Sequence, residues 1–393
     1  MRFFIPGLAH TATSPEYTAC AYTQKTLRLC GMLKRLGHYV VHLGHEASQV
    51  ECDEHVTVTH QYDLDVSYPG FDFRKDTFKF NVETDFAYKV FNANAIEAIR
   101  RRKQPRDFLL CGWGHGHRAI ADAHPDLIAV EPGIGYSGGH FARWRVWESY
   151  AILHAYLGME RVQNAGNPPN YDVVIPNHFD PAQFTFDDRK DNYFLCLGRV
   201  DLGKGVHVAI QAAEAIGARL VIAGQGDLAR VGYGEGQKPV PPGVEFVGHA
   251  DVERRRHLLA KARALIALTQ YCEPFGGVAV EAMLSGTPVI STDWGAFTET
   301  NPHGLTGYRV RTFGEILWAA RNIGRIIPAN CREWALANYS MDRIALMYEN
   351  YFQSVHDVYS GEGWYEPHPE RRDLDWLEKR YPSMRRRMQE AAE

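Results

Sequence analysis

The sequence predicts a two-domain α/β protein in which each domain is a doubly wound parallel sheet. Three observations carry that expectation. Short apolar runs ending in glycine alternate with longer segments of helical period. The alternation occurs twice, and a polar, proline-bearing stretch at residues 164–192 separates the two series. With 393 residues, 45% hydrophobic and 12% aromatic, the chain is long enough to bury two cores.

In the first series "RFFIPG", "YVVHLG", "DFLLCGWG" and "LIAVEPG" read as strands ending in glycine turns, with "YTQKTLRLCGMLKRLG" and "FNANAIEAIRRR" as helices between them. In the second, "YFLCLGRV", "RLVIAGQG", "VEFVGH", "ALIALT" and "TPVISTD" are strands, separated by helices such as "GVHVAIQAAEAIG" and "ERRRHLLAKA". "VWESYAILHAYLG", residues 146–158, reads as a helix whose aromatic stripe faces the core. The expected division is 1–180, 181–340 and 341–393, with the boundary near Asp180. The last segment opens on a long helix that either packs back onto the first half or lies on the surface, and it ends in a charged tail with Trp364, Trp376 and Arg385 to Arg387.

A net charge of -4 argues against a general polyanion binder. Seven scattered cysteines with no C-x-x-C pair fit a reducing compartment. "MRFFIPGLAH" is too short in apolar run for a secretory leader, and no stretch approaches the roughly 18 apolar residues of a spanning helix. A cytoplasmic protein is expected, touching the inner face of a membrane peripherally at most. Lys25, Arg28, Lys34, Arg35 and the run Arg100 to Lys103 are compatible with such a contact or with ordinary solvated helix faces.

The stretch "EPFGGVAVEAMLSGTPVISTDWGAFTE", residues 273–299, places two carboxylates around the start of a helix. Pro274 suits the first helical turn, the helical pattern runs from Phe275 to Ser285, and Gly286 with Pro288 stops it. Glu273 then sits at the helix mouth and Glu281 two turns in. Eight residues at about 1.5 Å each span roughly 12 Å, the scale of a nucleotide sugar from hexose to ribose. Gly276 and Gly277 let backbone approach a ligand, and free N–H groups at a helix start favour a diphosphate. In "LCLGRVDLGKG", residues 195–205, Arg199 and Lys204 flank glycines at a strand-to-helix turn, as a pyrophosphate site requires. On the residues alone, a helix-cap glutamate, a solvated glutamate and two solvated cations remain the competing account.

"GRVDLGKG", "EPFGGVAVEAMLSGTPVI" and "GAFTE" resemble, in order and spacing, the signature of the family-4-like retaining glycosyltransferases, glycosyl transferases group 1 of the GT-B superfamily. "VIPNHFDPAQF" and "GHADVERRRHLLAKARALIALT" look like further parts of the same pattern, so the resemblance covers residues 174–310. It implies two Rossmann-like domains facing across a cleft, the first for an acceptor and the second for a nucleotide sugar. It implies Arg199 and Lys204 at the donor phosphates, Glu273 on the transferred sugar and Glu281 on the ribose hydroxyls. The backbone of Phe275, Gly276, Gly277 and Val278 would receive sugar and phosphate, with Gly198, Gly224 and His249 completing the donor site. The activity implied is transfer of a hexose to an acceptor hydroxyl with retention, needing no metal or other cofactor. UDP-glucose is the default donor, with GDP-mannose and UDP-N-acetylglucosamine open. The acceptor is a saccharide, lipid, protein, small molecule or modified nucleic acid.

The first half resembles that family only in the order of its elements. Its first loop, "PGLAHTATSPEYT", lacks the double glycine of many members, and Gly7 is expected to fill part of that role. Glu131 stands where many members have a histidine near the reacting carbon. With His115 and His140 these are the candidate cleft residues of the first domain. A metal at His115 and His117 would want further ligands at recognisable spacing, and none stands out. "GQGD", residues 224–227, lacks the third glycine of a dinucleotide fingerprint. Two other functions fit the same fold: a sugar-nucleotide epimerase, and a catalytically silent nucleotide-sugar-binding protein.

Overall fold

A computed structural model of the chain describes residues 1–18, 20–136, 138–160 and 171–359. Residues 164–170 of the expected crossing, and the tail with Trp364, Trp376 and Arg385 to Arg387, lie outside the described residues.

The first half builds a parallel seven-stranded sheet from β1 (Arg2–Pro6), β2 (Tyr39–His45), β3 (Glu54–Thr59), β4 (Phe108–Leu110), β5 (Ile128–Ile134), β6 (Trp144–Trp147) and β7 (Val173–Val174), in the order β3-β2-β1-β4-β5-β6-β7. The second half builds a parallel six-stranded sheet from β8 (Phe194–Leu197), β9 (Leu220–Ala223), β10 (Val244–Phe246), β11 (Ala264–Ala267), β12 (Val289–Thr292) and β13 (Gly307–Val310), in the order β10-β9-β8-β11-β12-β13. Each chain path starts mid-sheet and winds outward both ways. The strand order therefore reverses beside β1 and β8, where doubly wound sheets hold ligands at their carboxyl ends.

Apolar runs make these strands because both faces are covered. Phe4, Val41, Leu43 and Leu109 pack with Tyr88, Phe91, Ala95 and Ile99 of the helix Phe86–Arg100. Leu195, Ile222, Leu265 and Ile290 share a core with Ala209, Ile210 and Ala213 of the helix Val206–Ile216 and with Val280, Met283 and Leu284 of the helix Gly277–Leu284.

Residues 146–158 do not form one helix. Trp144–Trp147 is a strand, and a separate helix, Tyr150–Glu160, follows it. Ser149 makes the break: its hydroxyl oxygen accepts the Ile152 N–H at 3.2 Å, a helix cap hidden inside an apolar run. The helix after Glu273 is also shorter than its pattern. Gly276, in the left-handed region at φ 75°, is its N-cap, which leaves Pro274 in the preceding loop.

The chain divides into a unit Met1–Ala345, which holds both sheets, and a unit starting at Leu346, whose described part is the end of the helix Met341–Tyr359. Among the described residues no helix is long and apolar enough to cross a membrane. The basic run of the first half is matched by carboxylates: Arg100 and Arg101 pair with Glu97, Arg102 with Glu54, and Lys103 with Asp126.

Candidate functional site

A cleft of about 620 Å³ is lined from both halves of the first unit. Its floor follows from the ends of β8, β9 and β11. Gly198 and Gly224 end two adjacent strands, and the Gly198 N–H donates to the Ala223 carbonyl. A β-carbon at Gly224 would collide with the Gly198 carbonyl oxygen, and Gly198 itself has a φ of 141° that favours glycine. Arg199 follows, half exposed, with only a distant contact of 3.9 Å to Asp201.

Lys204 and Glu273 meet across this floor. The Lys204 ammonium donates to Glu273 Oε2 at 2.7 Å, and the Thr269 hydroxyl donates to the same oxygen at 2.9 Å. Glu273 is 8% exposed. Burial pulls the Lys204 pKa down, but the Glu273 carboxylate and Tyr271, whose ring centre lies 4.9 Å from the ammonium, raise it above its ordinary value. The cation is therefore permanent across neutral pH.

A second charged group lies about one turn into the helix Gly277–Leu284. Glu281, 8% exposed, accepts both fork N–H groups of Arg255, and Arg28 of the first half approaches it at 3.8 Å. Arg28 lies 4.4 Å over the Phe179 ring; burial, then the neighbouring Arg255, holds its pKa below the ordinary value although Glu281 opposes both. Between the two carboxylates runs the mouth of the helix, Phe275, Gly276, Gly277 and Val278, with His249 on the cleft wall. Its first N–H groups have no helical acceptor. The structure thus brings together Gly198, Arg199, Lys204, Gly224, His249, Glu273, Phe275 to Val278 and Glu281 in one cleft.

It does not bring the four residues expected from the first domain to that cleft. Gly7 is tied into the sheet: its N–H donates to the Leu43 carbonyl at 2.7 Å and its own carbonyl is 2.8 Å from His117 Nε2. Glu131 is 0% exposed and accepts from the Phe141 and Ala142 N–H groups and the Tyr136 hydroxyl, so it braces a loop. Burial raises its pKa, against the pull of those donors. His115 sits outside, 3.6 Å from Glu83, and His140 is wedged among Tyr136, Trp147 and Tyr156.

The first half supplies other groups instead. His10, three residues beyond Gly7, lines the cleft with Phe78, Phe80 and Trp113; its ring stacks on Phe80 at 4.4 Å, and burial pushes its pKa down to about 3. Lys25 and Arg28 also face the cleft, whereas Lys34 and Arg35 pair with Asp53 and Asp180 on the surface. Lys25 pairs with Glu148, which also accepts from Asn177 at 2.6 Å. A signal for Lys25 and Arg28 was present: they continue, at helical spacing, the stripe of Leu29, Met32 and Leu33 that is buried. Glu148 had none, since it was read inside a helix.

The halves are joined at several points. The Ser149 hydroxyl donates to the Pro274 carbonyl at 2.6 Å. Glu299, the last residue of "GAFTE", accepts the Tyr150 and Ala151 N–H groups at 3.0 and 2.8 Å, capping a helix of the other half. Elsewhere the Gln225 amide donates to the carbonyls of Phe73 and Asp76. Among the described residues no three His, Cys, Asp or Glu side chains gather as a metal site.

Residues 181–325 match the family described as Glycosyl transferases group 1. The second half is a domain of that family. Over 223 residues the chain is 32% identical to a glycogen synthase of Mycobacterium tuberculosis, covering 50% of this chain and 54% of that protein. The chain spans about half the length of the curated relatives it matches. The whole path is that of GT-B structures. A sucrose-phosphate synthase from Thermosynechococcus elongatus superposes with a TM-score of 0.68 at 17% identity, covering 92% of this chain and 100% of the other. Anabaena HepE, solved in complex with UDP-glucose, superposes with a TM-score of 0.62 at 16% identity, covering 90% and 100%.

Proposed function

We propose that this chain transfers a hexose from a nucleotide diphosphate sugar to an acceptor hydroxyl, with retention and without a metal ion. The observation that carries the reading is the convergence of Arg199, Lys204, Glu273 and Glu281 on the helix mouth at Gly276 to Val278. Breaking the bond from sugar to phosphate leaves negative charge on the diphosphate. Cations and helix N–H groups already in place stabilise that charge without reorganising. Lys204 and Arg199 take the part a divalent ion plays elsewhere, and Glu273, held by Lys204 and Thr269, faces the sugar. Glu281, one turn into the helix, takes the ribose hydroxyls. UDP-glucose is the donor to try first, because HepE was solved with it and the curated relative is a glycogen synthase.

The test is a thermal-shift screen against UDP-glucose, GDP-mannose and UDP-N-acetylglucosamine, followed by measurement of nucleoside diphosphate release. A ligand at 100 times its Kd stabilises a folded protein by about 2.7 kcal/mol, so one donor raises the unfolding temperature and is then turned over. Stabilisation by no nucleotide sugar, or binding without any release, overturns the reading.

A further inference from the structure

The cleft holds a carboxylate that donor binding leaves unused. Glu148 follows β6 in the first half and is 4% exposed. Lys25 and Asn177 both donate to its Oε2, and among the described residues no group donates to Oε1. The side chain nevertheless lines the cleft. Room for it is reserved, because a β-carbon at Gly135 would collide with Oε1 itself. Lys25 is fixed in turn by the Gly133 carbonyl at 3.0 Å. A buried carboxylate of the cleft lining, fixed through one oxygen and with the other beside Gly135 of the same lining, can accept a hydrogen bond from a ligand.

Its position places that ligand. Ser149, the next residue, donates to the carbonyl of Pro274, the residue after Glu273. Glu148 and Glu273 therefore flank a single hydrogen bond between the halves, one carboxylate from each side of the cleft. A continuous aromatic wall leads away from Glu148. The Lys25 ammonium lies 4.2 Å from the Tyr22 ring centre, Tyr22 meets Trp113 at 4.9 Å, and Trp113 meets Phe80 and His10 at 5.4 and 5.6 Å. His10 carries no charge at neutral pH and is itself stacked on Phe80, so the wall presents uncharged ring surface.

We infer that the Lys25–Glu148–Asn177 group and the wall of Tyr22, Trp113, Phe80 and His10 form the acceptor subsite, and that its ligand is a carbohydrate. A pyranose combines the two features this surface asks for: hydroxyl donors at its edge for Glu148 Oε1 and an apolar C–H face for the aromatic rings. The inference rests on the proposed glycosyl transfer and names its acceptor class. Glu148 orients the hydroxyl by a hydrogen bond and is given no proton to carry.

The test measures binding, so it does not depend on turnover. Maltose, as a soluble pyranose, is titrated into the UDP-saturated protein by calorimetry and by the quenching of tryptophan fluorescence, with glycerol as a polyol that has no ring. Maltose binds and glycerol does not. Glu148→Gln, which keeps the shape but loses the charge, and Phe80→Ala, which shortens the wall, each weaken maltose about 10-fold, the scale of one charged hydrogen bond or one stacked ring. Unchanged UDP affinity in both variants shows that they are folded. Maltose that fails to bind, binding of glycerol as tight as that of maltose, or a Glu148→Gln protein that binds maltose like the wild type overturns the assignment. Failure of the transferase reading looks different, because then UDP and its sugars do not bind or are not turned over whatever the sugar does.

Discussion

Replacing Lys204 by alanine separates the leaving-group role proposed for this side chain from its contact with Glu273. As leaving-group stabiliser, Lys204 meets charge that is larger in the transition state than in the bound donor, so its loss lowers kcat more than it raises the donor KM. By analogy with one preorganised oxyanion donor, the drop is about 10² to 10³ fold, or roughly 3 to 4 kcal/mol. As partner of Glu273, Lys204 also supports the fold. The two side chains are 27% and 11% exposed, and removal leaves Glu273 with the Thr269 hydroxyl alone. A fully buried broken pair costs about 3 to 5 kcal/mol. Because this carboxylate reaches the cleft, the loss of one charged hydrogen bond, about 1.5 to 3 kcal/mol, is the better figure. Adding Glu273→Gln to Lys204→Ala removes the stranded charge and restores much of the stability without restoring turnover. The assays are denaturant unfolding and steady-state release of the nucleoside diphosphate from UDP-glucose. Lys204→Arg does not rescue, since a planar fork cannot put a point charge where the ammonium sits, 2.7 Å from Glu273 Oε2 and 4.9 Å from the Tyr271 ring centre. A Lys204→Ala protein with near-normal kcat and only a raised KM refutes the reasoning and moves leaving-group stabilisation to Arg199 and the helix mouth.

Glu281→Ala weakens UDP by roughly 1.5 to 3 kcal/mol through the lost ribose contact. It strengthens inorganic pyrophosphate, because Arg28 and Arg255 are then unopposed, and calorimetry showing both ligands unchanged removes Glu281 from the site. Turnover survives excess EDTA, and activity abolished by chelation and restored by magnesium or manganese sinks the assignment of Arg199 and Lys204. Burial holds His10 and His42 at pKa values of about 3 and His117 and His178 at about 4, below the 6.5 of the unfolded chain. Their contribution to stability is complete above pH 6.5 and is lost as the pH falls towards 4. Near pH 5 the four add a slope of about 5 kcal/mol per pH unit, so unfolding temperatures level between pH 7.5 and 5 contradict the burial of these rings.

The second sheet was legible because its strands are apolar runs between glycines, and its five predicted strands contain β8 to β12. The cleft residues of the second half were legible for a related reason: glycine is forced by a close backbone contact at Gly224 and by a positive φ at Gly198, and so leaves a pattern in the sequence. Edge strands were not. β3 carries glutamate and histidine on a half-exposed face, and β7 has two residues. The first half's side of the cleft was illegible for a deeper reason. Lys25 meets Glu148 and Asn177 from more than a hundred residues away, and a buried pair of that kind leaves no local spacing to read.

Glu299 ties the two halves at one corner. A carboxylate that caps a helix is held by two N–H groups and by the positive end of the helix, and separating the halves at that corner would strand all three. The Gln225 amide, by contrast, holds only loop carbonyls at Phe73 and Asp76, which water can replace. Opening the cleft would therefore cost more at the Ser149, Pro274 and Glu299 corner than at the Phe73 rim. Glu148 and Glu273 both stand beside that costlier corner, next to Ser149 and Pro274.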